Sequence, residues 1–224
     1  EENYMTLALE RELREKYGED TDITYALMSE IIETAERYLA LHPVIKPEDT
    51  FKDVLLKKTQ LQINWLIDNQ FLTNNDNSSA YSLAISEQCY NFVLAVLEKA
   101  KPILEELSQR YPLVLVSNFY GNIETVLDDF GLTHLFKEIV ESAVVGVRKP
   151  DPAIFSLGVK ALGLDAEESV VVGDSYKKDI VPAQTIGCQT IWLKGPGWEA
   201  DEPDATADLV ITDFIELKTA FDLA

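Results

Sequence analysis

The sequence predicts an α/β protein: a parallel sheet with helical crossovers, preceded by an all-helical segment. Three observations carry this. The first 80 or so residues show apolar spacing of helical type only. From residue 112 onward, short apolar runs alternate with helical segments of about 10–12 residues, the pattern of strand–helix–strand units. The short runs end in polar residues, which suits parallel strands whose carboxyl ends meet ligands.

The elements follow in order. Segment 5–17 is charged and amphipathic. Segment 22–41 places Ile23, Leu27, Ile31, Ala35, Tyr38 and Leu39 at helical spacing. A helix over 48–69 begins after Pro47, with Glu48 and Asp49 in its first turn. Asn74 to Ser79 is a polar break. A helix over 80–99 follows, and Pro102 opens another that ends near Arg110. Pro112 to Val116 reads as a buried strand, 121–130 as a helix broken at Gly131, and 138–144 as a weaker strand. A helix after Pro152 ends near Gly163. Ser169 to Val172 is a strand, 178–186 a helix, and Gln189–Leu193 and Asp208–Ile211 the last strands.

Composition narrows the function. The 224 residues hold 39 acidic and 19 basic side chains, a formal charge of −20. Such a surface repels nucleic-acid phosphates and anionic membranes. An anionic substrate would need positive charge concentrated at one place or brought by a metal. No apolar run approaches the roughly 20 residues of a membrane span. Cys89 and Cys188 lack metal-ligand spacing, which favours a reducing cytoplasm over a disulfide scaffold.

Three strand-end segments carry candidate chemistry. The first strand ends in Ser117-Asn118, a hydroxyl and an amide beside the backbone N–H groups entering the next helix. Taken alone, this also reads as a helix cap. Lys149 precedes Pro150 and is held extended, so its ammonium can be aimed at an anion; alone it also reads as a surface lysine at a turn. The apolar strand 170–172 leads into Gly173-Asp174-Ser175, with Asp179 five residues beyond Asp174. Two carboxylates on one loop make a plausible oxygen site for Mg²⁺.

In this order the segments resemble the haloacid dehalogenase-like hydrolase superfamily, over roughly residues 100–215. The resemblance implies a Rossmann-like core over 86–224 and a helical cap over 1–85. It implies that Ser117 binds the transferred phosphoryl group, with Asn118 beside it. It implies that Lys149 neutralises nucleophile and phosphate, and that Asp174 and Asp179 hold Mg²⁺. The metal-free dehalogenases of the superfamily usually carry Asn where a metal-binding Asp would stand, so Gly173-Asp174-Ser175 favours a magnesium phosphatase acting on a small phosphorylated metabolite. A binding protein without catalysis, a dehalogenase and a phosphomutase are the alternatives.

The superfamily's nucleophile sits in an Asp-x-Asp motif at the end of an early strand. Asp20-Thr21-Asp22 has the letters, but a charged helical run precedes it, not an apolar strand. The expectation is therefore that the first strand, with its nucleophile, lies outside these residues. A missing N-terminal segment or a second chain would supply it, and the 224 residues alone would not turn over substrate. Trp65, Tyr81, Tyr90 and Phe92 lie in amphipathic helices and are expected to pack in cores rather than line a pocket. The acidic stretch from Gly195 is expected to be a solvated loop.

Overall fold

A computed structural model describes residues 25–72, 78–195 and 206–223. The expected helix 5–17, the Asp20–Asp22 letters and most of the acidic stretch after Gly195 lie outside them. The chain divides into two compact units, Glu1–Val96 and Leu97–Ala224.

The first unit is helical in its described residues. Helix α1 covers Tyr25–Leu41 and buries Ile31, Ile32, Ala35 and Leu39. Helix α2 covers Phe51–Asp68. It starts later than its sequence suggests, because Thr50 and Asp53 form a reciprocal capping box and take the first free N–H groups. Asp49, expected inside the first turn, instead pairs with Lys57. Phe51, Val54, Leu55, Ile63 and Leu66 form one buried stripe at helical spacing. Two polar members of that face find partners: Lys58 pairs with Glu36 of α1 at 2.5 Å, and Thr59 donates to the Ser82 carbonyl at 3.0 Å.

Helix α3 runs unbroken from Ser78 to Arg110, with Pro102 inside it. The sequence predicted two helices here. A proline removes one backbone hydrogen bond, to the carbonyl four residues earlier. That residue is Glu98, which is exposed, so water can serve its carbonyl. The boundary between units falls inside this helix, as does the expected division at 85/86. Of the four aromatic residues expected in cores, Trp65, Tyr81 and Tyr90 are half-buried, and Phe92 is 37% exposed.

The second unit holds all five strands of the described residues, and every pairing is parallel. Strand β1 (Val114–Ser117) pairs with β2 (Glu138–Glu141), Ser117 lying beside Glu141. Strands β3 (Val170–Gly173), β4 (Gln189–Leu193) and β5 (Leu209–Ile211) form a second set, with Gly173 beside Trp192. Strand β2 is shorter than expected, because Ser142–Val145 turns into a short helix, α5, that closes on left-handed Gly146.

Helix α4 (Ile123–Asp129) follows β1. Helix α6 (Ala153–Leu162) buries Ile154 and Phe155 against Val114, Val116 and Val140, and Val171 of β3 joins the same cluster. Both strand sets thus lean on one apolar cluster, yet β1 and β3 do not pair. The helix comes so close to β1 that a Cβ on Gly158 would lie 2.9 Å from a Val116 methyl. A second cluster joins Ile191 and Ile211 to Ile103 and Leu107 of α3.

Candidate active site

The site lies at the carboxyl ends of β1 and β3 and in the segment around Lys149. Each strand is a short apolar run with a polar residue at or just past its carboxyl end, which leaves that residue at the rim of the sheet. Ser117 closes β1 and is half-buried. Among the described residues no hydrogen bond ties it to the charged groups described next.

Asn118 reaches across 31 residues to Lys149. Its side-chain oxygen accepts from the Lys149 backbone N–H at 2.9 Å, and its amide donates to the Lys149 carbonyl at 3.1 Å. The amide thus grips both sides of one residue and fixes where that lysine starts. The amide thereby braces Lys149; the sequence also offers Asn118 as a substrate contact beside Ser117. The Lys149–Pro150 peptide is cis.

The Lys149 ammonium meets Asp179 at 2.7 Å. Their side chains are 18% and 5% exposed, so the pair is largely removed from water. The other Asp179 oxygen accepts from the Ser175 N–H at 3.1 Å. The backbone here is tightly wound: Tyr176–Ile180 forms a π-helical turn before α7 (Val181–Thr185). Gly173 makes the winding possible. A side chain on it would overlap the Asp179 stem, with its Cβ 2.8 Å from the Asp179 carboxyl carbon.

Asp174 keeps solvent access beside this pair. Its carboxyl is pushed above its ordinary range, first by desolvation and then by the neighbouring Asp179 carboxylate; Lys149 acts in the opposite direction. The structure thus brings the two aspartates and the lysine together electrostatically. Hard oxygen donors with one carboxylate open to solvent suit Mg²⁺, which binds through one or two carboxylates and keeps waters or substrate oxygens as its other ligands. Among the described residues no group of three or more His, Cys, Asp or Glu could form a fuller protein cage.

Asp174→Asn follows as a test of the cost of ionising Asp174 at this place. Since its pKa is raised in the fold, ionised Asp174 weakens the fold as pH rises through that pKa, and costs nothing where it is protonated. The asparagine is expected to stabilise the metal-free protein at neutral pH. The gain is at most about 1 kcal/mol, because the exposed side chain is screened by solvent. Mg²⁺ affinity is expected to fall in the same variant. Thermal melting in EDTA and calorimetric Mg²⁺ titration read the two effects separately.

Sequence reasoning missed Glu141. It is 4% exposed and accepts from the N–H groups of Gly121 at 2.5 Å and Asn122 at 3.1 Å. Its neighbour Ser142 accepts from the Phe119 N–H at 3.2 Å. The N–H groups after β1 that the sequence left open to a ligand are therefore partly spent on the end of β2. The available signal was an acid following directly on the apolar pair Ile139-Val140.

Similarity to known proteins agrees with this geometry. A family model described as haloacid dehalogenase-like hydrolase matches residues 8–187. The chain is 32% identical over 124 residues to a phosphoserine phosphatase of Thermus thermophilus, covering 54% of this chain and 49% of that protein. It therefore spans about half the length of that relative. It is 28% identical over 222 residues to a glyceraldehyde 3-phosphate phosphatase of Pyrococcus furiosus, covering 94% of this chain and 81% of that one. Among solved structures, a HAD-hydrolase of Bacillus subtilis bound to magnesium aligns with a TM-score of 0.53 at 21% identity, covering 87% of this chain and 92% of that one. With the parallel strands, the helical first unit and the family model spanning most of its length, the chain belongs to the haloacid dehalogenase-like hydrolases.

Proposed function

We propose that this protein is a Mg²⁺-dependent phosphatase of a small phosphorylated metabolite. The observation that carries the reading is the Lys149–Asp179 pair with Asp174 beside it, close to the strand end that bears Ser117. The constellation supplies a fixed cation and open carboxylate oxygens in a protein of net charge −20. The names of the relatives, phosphoserine phosphatase and glyceraldehyde 3-phosphate phosphatase, support a small phosphorylated substrate.

Phosphoryl transfer relies on positioning and on charge stabilisation more than on covalent work by the protein. In the proposed reaction a carboxylate attacks phosphorus and the ester P–O bond breaks. The leaving alcohol takes up a proton, and water then attacks the aspartyl-phosphate to release phosphate and the carboxylate. Ser117 donates a hydrogen bond to a phosphoryl oxygen. Lys149 balances the charge of nucleophile and phosphate, held in place by Asn118 and Asp179. Asp174 and Asp179 would hold Mg²⁺, which supplies further positive charge when bound.

The attacking carboxylate of the proposed reaction would come from a further strand beside β1 and β3. Strands β1 and β3 support this. Each keeps an edge unpaired among the described residues, although both pack on the cluster under α6. Val170 and Val172 of β3 are each 39% exposed, unusual for a strand in a parallel sheet.

The intact protein tests the proposal. Phosphate release from a panel of phosphorylated metabolites is expected to stop in EDTA and return with Mg²⁺. Absence of any Mg²⁺-dependent turnover would sink it. Halide release without metal would instead mark a dehalogenase, interconversion of sugar phosphates a phosphomutase, and binding without turnover a non-catalytic member.

A further inference from the structure

Trp192 lies in β4, directly beside Gly173 in the parallel register. Its indole N–H donates to the backbone carbonyl of Asp174 at 3.0 Å. The residue is 4% exposed, so the donor end of this part-buried hydrogen bond is shielded from bulk water. Tyr176, two residues beyond Asp174 in the acidic loop, packs against the indole with ring centroids 5.2 Å apart. The Tyr176 hydroxyl in turn accepts from the Thr206 N–H at 3.0 Å. Gln184 donates to the Thr206 carbonyl at 2.7 Å. The Lys194 ammonium sits over the indole, 5.1 Å from its centroid.

We propose that Trp192 is a positioning residue for the acidic loop, fixing the Asp174 backbone so that its carboxylate is presented to Mg²⁺ beside Asp179. This rests on the phosphatase reading above and deepens it. Gly173 has no side chain, so the preceding backbone is free to turn. Asp179 is fastened by Lys149 and by the Ser175 N–H, and the π-helical turn follows only from residue 176. The Asp174 peptide sits between the end of β3 and that turn. An indole locked in the adjacent strand gives it a fixed donor. A ligand carboxylate raised in energy by a neighbouring carboxylate gains from such restraint, because the backbone cannot relax to move the two apart before the metal arrives.

The test is Trp192→Phe in the intact protein. It keeps an aromatic ring for Tyr176 and removes only the N–H donor. Calorimetric titration with Mg²⁺ alone is expected to show affinity weakened about 3- to 10-fold, the worth of one positioning hydrogen bond. A second measurement does not depend on the variant folding. In ¹⁵N-labelled protein, the indole N–H resonance of Trp192 is expected to shift on Mg²⁺ titration with the same midpoint as calorimetry. In the folded variant, an unchanged Mg²⁺ affinity would overturn the proposal and leave the phosphatase reading standing. So would an indole resonance that stays still while wild-type protein binds Mg²⁺. Wild-type protein that binds no Mg²⁺ would overturn both. A purely packing role predicts a lower melting temperature with neither change.

Discussion

Gly173→Ala is expected to cost the intact protein about 100-fold or more in kcat/KM. The added methyl would overlap the stem of Asp179 rather than the flexible end of a side chain. Either the π-helical turn shifts outward or β3 moves, and a displacement near 1 Å at a reacting centre is worth about 100-fold in rate. The Lys149–Asp179 contact at 2.7 Å and the Ser175 N–H bond to the same carboxylate at 3.1 Å would lengthen together. Overpacking adds a stability loss of about 1–3 kcal/mol. Steady-state kinetics with saturating Mg²⁺, together with urea melts, separate the two effects. A folded Gly173→Ala variant with wild-type turnover would show that Asp179 has no part in the reaction.

The second large effect belongs to Lys149→Met. Methionine keeps much of the stem's volume and removes the cation. Asp179, 5% exposed in its side chain, then stays buried with the Ser175 N–H still donating to its carboxylate but no cation against it. Breaking a buried pair from one side costs about 3–5 kcal/mol, because the surviving charge is left uncompensated. The double variant Lys149→Met, Asp179→Asn is expected to recover most of that loss. Catalysis should not recover with it: losing a fixed cation at developing phosphoryl charge costs about 100- to 1000-fold. A double-mutant cycle by urea denaturation measures the coupling. Additive losses in the two single variants would mean that the ion pair is not formed in solution.

Much of the candidate site was legible because its signals are local. Ser117 follows an apolar run directly and Asp174 follows one across a single glycine, and a hydrophobic run ending in a polar residue reads the same in one dimension as in three. The strand Gln189–Leu193 and the helix ending before Gly163 were legible for the same reason. Gly163 stops its helix in a left-handed conformation, with φ at 76°. Pro102 misled, since a proline's cost depends on whether water reaches the freed carbonyl, and exposure is not a local property. Thr50 moved the start of α2 because two side chains there satisfy each other.

The sequence by itself determined the α/β order of elements, the polar residues at the strand ends, and the pairing of a lysine with two aspartates as candidate partners in one reaction. The first two follow from periodicity and residue chemistry; the third is what the resemblance to the hydrolase superfamily implies. Tertiary structure decided how the groups are held: Asn118 on the backbone of Lys149, Asp179 on its ammonium, Glu141 on the loop after β1, and Trp192 on the Asp174 carbonyl. Each contact spans 18 to 31 residues and depends on which strands are neighbours and in what register. It also decided that β1 and β3 share a core without pairing. Hydrogen-bond partners across a sheet are set by packing of whole elements, and no local pattern of residues specifies them.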